Sequence, residues 1–383
     1  MRINQENLNY GIIGNCKSSA LIKDDSSIDW CCLPQFDSDS IFCKILDKEI
    51  GGNFKIECDE SYIITQKYFK KTCVLQTNFS NGENEFEVID FMPRFKKENG
   101  KYYTPPEIVR ILKLKKGSPI FKVLYDPRLA FASGNTKTYK KENFIVSIVD
   151  DEKYETLFLY SNLNKEAIIN SSETTLNENI YFVISYNEKI NLPNIEKVFF
   201  ELDQTKVYWK SWSYKTPLFE SYNDEILRSA MTLKLLNFEK TGAIIAAATT
   251  SIPEAIGEER NWDYRFCWIR DASMVIKVIS KIGHVKMVKN FIDFILNIIP
   301  DKNEKLQIMY GISGEKNLHE ETLDYLSGFQ NSKPVRTGNA AYVQKQNDIY
   351  GILMDAIHFQ IQKYSNDDDK HEELWSVVKS IIW

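Results

Sequence analysis

The spacing of apolar residues changes once along this chain, near residue 205, and few architectures accommodate both halves. Before the change come short runs rich in Val, Ile, Phe, Tyr and Thr. They are YIITQKYF (62–69), CVLQTNF (73–79), FEVIDFM (86–92), PIFKVLY (119–125), FIVSIVD (144–150), TLFLYSN (156–162), IYFVISY (180–186) and KVFFEL (197–202). Turn sequences such as SNGEN, KENGK and ASGNT separate them. β-branched and aromatic residues suit a pleated surface, and many short strands at near-regular intervals predict a large antiparallel sandwich. No helical stripe of useful length stands out before residue 205.

From about 215 the apolar residues recur three and four apart, as on one face of a helix. DEILRSAMTLKLLNF (224–238) follows that rule, and WIRDASMVIKVISKI (268–282) is apolar nearly all round, as a helix buried on most sides would be. Gly283 supplies a stop after it. A third stripe comprises Val288, Phe291, Ile292, Ile295, Ile298 and Ile299, with Pro300 behind it. A fourth comprises Ile349, Ile352, Leu353, Ala356 and Ile357, and a fifth Leu374, Val377, Val378, Ile381 and Ile382. DDDK (367–370) reads as a solvated helix start. The expected class is α+β and multidomain: a sandwich over 1–205, a linker over 206–220 and a helical part over 221–383.

Charge and cysteine usage narrow the partners. A net charge of −5 spread along the chain offers no basic groove for nucleic acid or an anionic membrane surface. The polar start lacks the apolar run of a signal peptide, and no apolar stretch approaches membrane-spanning length. Seven Cys with no CxxC pair read as reduced, mostly buried thiols of a cytoplasmic protein. Four scattered His give no zinc spacing, and nothing demands a cofactor.

Two long loops, 239–267 and 300–338, end in polar clusters just before helices, and loops of that length are usually functional. RNWDYRFCWIRDAS (260–273) mixes rings and charges more densely than either a core or an ordinary surface loop. A pyranose has an apolar C–H face and a rim of hydroxyls, so it is held by a ring against its face and by paired donors and acceptors at its rim. Arg presents a planar fork of donors and Asp accepts from two hydroxyls. Trp268, Arg270 and Asp271 supply one of each within four residues, and Tyr264 adds a second ring with a polar tip. The same residues equally suit a plain helix start, with Asp271 facing the positive end of the dipole and Arg260, Asp263 and Arg265 forming an ion network. An acidic-substrate or nucleotide site also fits the local pattern. In the second loop, Arg336 reads either as a donor to the same ligand or as structural, and Asn339 either as a cap or as a sugar contact. TGAIIAAATTSIPE (241–254) reads as a buried extended segment that lets another element approach closely, and Glu320–Glu321 as a helix turn.

TGAIIAAATTSIPEAIGEERNWDYRFCWIRDAS closely resembles the signature of glycoside hydrolase family 15, the glucoamylase and trehalase-like group. RSAMTLKLL before it and QIMYGISGEKNL and LSGFQNSKPVRTGNAAYVQKQNDIYGILMDAIH after it match in order and spacing. YGIIGNCKSSALIKDDSSIDWCCLPQFDSDSIFCKILD (10–47) is similar to the start of that family's β domain. Asn15 stands where an Asp is usual and Glu258 where a second Gly is usual. The resemblance implies a sandwich followed by an (α/α)₆ toroid, with glucose held by Tyr264, Trp268, Arg270 and Asp271 and with Arg336 and Asn339 contributing to the subsite. It implies hydrolysis of an α-glucosidic bond with inversion, one carboxylic acid protonating the leaving oxygen and one carboxylate activating water.

A toroid of twelve helices needs roughly 200 residues or more, and fewer follow the change of period. The family's Trp-Glu acid element and its later base have no counterpart here, and the chain stops in mid-stripe at SIIW. The expectation is the N-terminal portion of such an enzyme, an incomplete toroid with part of a glucose subsite, neither catalytic carboxylate and no activity alone. The substrate would be a malto-oligosaccharide or trehalose, and the partner a complementing C-terminal fragment or a second copy. The alternatives are a non-catalytic sugar-binding protein, half of a split enzyme, or a sandwich interaction module without a sugar role.

Overall fold

The computed structural model describes residues 8–149, 155–298 and 306–363, and within 371–383 residues 372, 374, 375 and 377–379. Its contacts divide the chain into two units. One is Met1–Ser213 with Asp324–Lys333, and the other is Tyr214–Leu323 with Pro334–Trp383.

In the first unit the predicted runs are strands of two antiparallel sheets. Among the described residues one sheet has seven strands, ordered Tyr10–Gly14, Ser19–Lys23, Ile28–Cys32, Asn53–Glu57, Ile120–Asp126 and Thr174–Thr175, with Ser40–Phe42 beside the third. The other has eight, ordered Thr136–Lys140, Ile145–Val149, Thr156–Ser161, Ile180–Tyr186, Glu107–Lys116, Glu85–Phe91, Leu75–Ser80 and Ile63–Tyr68. Ile13, Ile22, Phe54 and Ile56 from the first sheet and Phe86, Val88, Leu112 and Phe182 from the second share one core, so the two sheets form a sandwich. Successive side chains of a strand point to opposite faces. In Glu107–Lys116, Ile108 and Leu112 face that core while Val109 and Ile111 face a second apolar layer.

Among the described residues two α-helices belong to this unit, α1 (Lys165–Ile169) and α2 (Ile195–Ser213). Val198 and Leu202 of α2 complete the second layer against Ile89, Val109, Ile111 and Val183. KVFFEL is therefore helix rather than strand, and the expected linker 206–220 is helical as far as Ser213. Val198, Glu201, Leu202, Thr205 and Trp209 recur at helical spacing on the buried side. The stripe was obscured because Phe200 and Val207 put large apolar groups on the solvent side, 60% and 61% exposed. The division is also less simple than two consecutive stretches, since 324–333 packs within the first unit. There the Ser327 N–H donates to Asp47 Oδ2 at 2.8 Å.

A buried cation spans the sandwich. Arg110 pairs with Asp90 in its own sheet, Nε to Oδ1 at 2.7 Å, and donates to the carbonyls of Phe54 at 3.0 Å and Ser26 at 2.6 Å. Its guanidinium also lies 4.7 Å from the Phe54 ring centre. A buried charge is tolerated only when paired and hydrogen-bonded, as both are here. Six of the seven Cys are buried, Cys58 is half-buried, and all seven are free thiols.

The second unit holds α3 (Asn223–Leu235), α4 (Ile269–Lys281), α5 (Val285–Ile298) and α6 (Asp348–Lys363). Val288, Phe291, Ile292, Ile295 and Ile298 of the third predicted stripe are buried, and Ile299 and Pro300 lie outside the described residues. Ile349, Leu353, Ala356 and Ile357 of the fourth are buried, with Ile352 half-buried. Leu374, Val377 and Val378 of the fifth are buried, whereas Ile381, Ile382 and the DDDK start lie outside the described residues. Helix α4 is not buried on most sides: Met274 and Val278 are exposed on one face. No helix among the described residues is long and apolar enough to cross a membrane.

Candidate functional site

The long loop before α4 is built on the segment of small apolar residues. Ala246 and Ala247 donate backbone N–H groups to the carbonyls of Phe266 and Tyr264, at 3.1 and 2.9 Å, and Ser251 donates to that of Trp262 at 2.9 Å. The segment is thus extended and its Ala243, Ile244 and Ile245 are buried. Gly242 allows the close approach the sequence suggested: its φ is +95°, and a Cβ there would lie 2.1 Å from the Asn290 carbonyl of α5.

RNWDYRFCWIRDAS then runs across this segment into α4. Cys267 and Trp268 pair with Tyr310 and Met309, which fixes Trp268 at the N-cap of α4. Burial pushes the Cys267 thiol up to about 12, as for an inert core thiol. Trp268 is only 8% exposed and packs with Phe266, Ile308, Met309, Leu318 and Ile349. Tyr264 is half-buried beside it, ring centres 6.2 Å apart and planes inclined at 46°. Burial first, and then the charges of Glu254 and Asp271, raise the Tyr264 hydroxyl above its ordinary pKa, so it stays a donor at neutral pH. The indole Nε1 of Trp268 is buried and has no hydrogen-bond partner among the described residues. A buried donor left unpaired is costly.

Arg270 and Asp271 occupy the first turn of α4. The Arg270 guanidinium lies 5.6 Å from the Trp268 ring centre and donates from Nε to Asp271 Oδ2 at 3.1 Å. Its Nη1 reaches Asp348 Oδ2, at the start of α6, at 3.3 Å. Partial burial opposes the charge, and Asp271 and Asp348 outweigh it, raising the Arg270 pKa. Asp271 also gains from the helix dipole, so the helix-start reading and a fixed donor fork describe the same arrangement. Asp348 was not anticipated: it lies 78 positions from Arg270, and only the packing of α6 on α4 brings it there.

The ion-network reading holds for Asp263 and Arg265 alone. They form a fully buried two-pronged pair, Nε to Oδ1 at 2.9 Å and Nη2 to Oδ2 at 2.7 Å. Arg260 instead meets Glu254 at 3.5 Å near the surface.

The second loop meets the first around this pair. Gly338 N–H donates to Asp263 Oδ2 at 3.2 Å. Asn339 donates through Nδ2 to the Asp263 carbonyl at 3.0 Å, and its Oδ1 accepts from Ala341 N–H at 3.0 Å. Asn339 is thus the cap of the short 3₁₀ turn Ala340–Val343, not of α6. Arg336 is engaged by the loops themselves. Its Nη1 donates to the carbonyls of Glu259 at 2.9 Å and Asn261 at 3.2 Å, and its guanidinium lies 4.5 Å from the Trp262 ring centre. Its Nε lies 3.1 Å from Glu320 Oε1. Glu320–Glu321 is not a helix turn: Glu321–Thr322 pairs antiparallel with Arg336–Thr337 as a short ladder. The structure therefore brings all six anticipated residues into one loop cluster. Four of them line the ring-and-fork group, and Arg336 and Asn339 hold the loops together.

Residues 220–382 match the family model described as glycosyl hydrolases family 15, and residues 6–157 match that of the trehalase-like N-terminal domain. A trehalase of Thermoplasma volcanium is 34% identical over 98% of this chain and 62% of its own length. Trehalase 2 of Sulfolobus acidocaldarius is 32% identical over 98% of this chain and 64% of its own. A trehalase of Mycolicibacterium smegmatis is 29% identical over 97% and 59%. The chain thus spans less than two thirds of the length of these relatives. The family 15 match lies mainly in the second unit and the trehalase-like N-terminal match in the first, with 158–219 outside both, so the chain is similar to glycosyl hydrolases of family 15.

Proposed function

We propose that this chain carries the glucose-holding wall of an α-glucoside hydrolase that acts with inversion, and that trehalose is its substrate class. The observation that carries the reading is the ring pair Tyr264–Trp268 with its buried unpartnered indole N–H, set against the Arg270–Asp271 fork. Rings offer a flat apolar face to the C–H side of a pyranose, and the indole N–H and the Arg270–Asp271 pair answer its hydroxyls. Arg336 and Asn339 act by holding this wall in shape. The names of the relatives favour trehalose over malto-oligosaccharides. In this reading the helices belong to an (α/α)₆ toroid and the sandwich is the trehalase-like N-terminal domain.

Inverting hydrolysis needs an acid and a base on opposite sides of the scissile bond, about 6.5–9.5 Å apart. The carboxylates around the wall are bound to cations: Asp271 to Arg270, Asp263 to Arg265 and Glu320 to Arg336. We therefore assign neither catalytic role to them, and residues 1–383 alone bind sugar without cutting it. Titration of the chain with trehalose and maltose, followed by Trp fluorescence, tests the first claim. Saturable binding is expected, and Trp268→Phe, which keeps a ring but removes the N–H, weakens it about tenfold. Absence of any response overturns the sugar-site reading. A glucose-release assay tests the second claim, and clear turnover would turn attention to Glu320 and Glu321.

A further inference from the structure

Gln307 opens the segment QIMYGISGEKNL, whose Met309 and Tyr310 fix Trp268, but the site as described assigns Gln307 itself no role. Its backbone N–H donates to the Tyr310 hydroxyl at 2.9 Å. Its side-chain Nε2 donates to two backbone carbonyls, Lys316 at 3.0 Å and Tyr342 at 3.1 Å. Both partners are acceptors only, so the NH₂ end must face them and the orientation of the amide is determined. The carbonyl end then points the other way. Oε1 is buried and accepts no hydrogen bond from the described residues.

Gln307 is held beside the proposed sugar wall, through its chain neighbours and through the Tyr342 carbonyl that its amide grips. Leu306 and Ile308, on either side of Gln307, pack in the cluster of Trp268, and so do Tyr264 and Tyr342. The Ile308 carbonyl accepts the first backbone N–H of α4, that of Ile269, at 2.9 Å. Met309 pairs with Trp268 itself. Among the described residues, Gln307 Oε1 is thus a fixed acceptor without a donor beside the cluster in which Trp268 Nε1 is a donor without an acceptor. A polyhydroxylated ligand satisfies both, because each hydroxyl donates once and accepts as well.

We infer that Gln307 is a specificity-determining residue whose Oε1 accepts a hydrogen bond from one hydroxyl of a glucose unit bound against Trp268. This rests on the sugar-site reading above. The grip on two carbonyls means the acceptor is pre-positioned and does not have to be ordered on binding. A site that hydrogen-bonds a hydroxyl discriminates strongly against an analogue that lacks it.

The test uses the full chain, glucose and a panel of monodeoxyglucoses, with wild type and Gln307→Met compared by calorimetry. One deoxy sugar is expected to bind wild type about tenfold more weakly than glucose. Gln307→Met is expected to bind glucose and that deoxy sugar equally, while still discriminating the others. An equal loss for every sugar in Gln307→Met overturns the inference and leaves the sugar site standing, because the residue then only braces the loop. No binding of any sugar by wild type overturns the sugar-site reading and this inference with it. Should Gln307→Met not fold, the wild-type chain labelled with nitrogen-15 at glutamine gives the same answer. The side-chain NH₂ signal of Gln307 shifts with glucose and not with the deoxy sugar it reads, and equal shifts with both overturn the assignment.

Discussion

Asn339 donates its side-chain amide to the backbone carbonyl of Asp263 at 3.0 Å, joining loops 76 positions apart. The same side chain caps the turn that follows, through Oδ1 and Ala341 N–H. Asn339→Asp keeps the acceptor and loses the donor, so it isolates the bond between the loops. It is expected to destabilise the second unit by about 1–3 kcal/mol, the cost of an unsatisfied buried carbonyl. Asn339→Ala loses the cap as well and should cost about 1 kcal/mol more. Urea unfolding, followed by fluorescence and by far-ultraviolet dichroism, measures both. Equal stability of Asn339→Asp and wild type would show that the loops are held elsewhere.

Arg110 tests the interior of the sandwich. Arg110→Met removes the partner of buried Asp90 and leaves the carbonyls of Phe54 and Ser26 without their donor. A loss of about 3–5 kcal/mol is expected, since an unpaired charge is then buried. Pairing it with Asp90→Leu should recover much of the loss, because both charges are then gone. A double variant no more stable than Arg110→Met contradicts this account.

Glu107 predicts a pH dependence. Burial, reinforced by the neighbouring Glu201, pushes its pKa from an ordinary 4.5 up to about 8, with Lys197 opposing and Glu188 adding to the shift. The folded chain keeps this proton between those values while the unfolded chain has released it. The folded state therefore binds more protons in that window, and the stability associated with this group falls as pH rises from 4.5 to 8, then levels off. Glu107→Gln removes the titration. The difference in Tm between variant and wild type should be small near pH 4.5 and widen in favour of the variant up to pH 8. A constant difference across that range refutes the assignment.

Asn15 accounts for one departure from the family pattern. It is fully buried and donates through Nδ2 to the Pro105 carbonyl at 2.9 Å, while Oδ1 accepts from the N–H groups of Lys17 and Ser18. A carboxylate satisfies the two N–H groups but faces the Pro105 carbonyl without a proton to give. Asn15→Asp is expected to cost about 1–3 kcal/mol at neutral pH, less in acid where the carboxyl is protonated. Denaturant titrations at pH 5 and pH 8 measure the two values.

The helices of the second unit were legible from period, because burial on one face imposes a spacing that does not depend on the rest of the chain. Helix 285–298 is an example, whereas IYFVISY and FEVIDFM, buried on both faces, were legible from their β-branched and aromatic residues instead. Period misled at KVFFEL, where Phe200 and Val207 add apolar groups on the outer face of α2. RNWDYRFCWIRDAS likewise carried its chemistry in its composition: rings, a fork and a carboxylate within a few residues. What these groups do to one another was not legible. That Arg270 meets Asp348 depends on the packing of α6 on α4, and that Asn339 ties to Asp263 and Gln307 grips the Tyr342 carbonyl depends on loops with no period at all. Their conformations are set by backbone donors and acceptors finding partners far along the chain, and those partners come within reach only once the helices have packed.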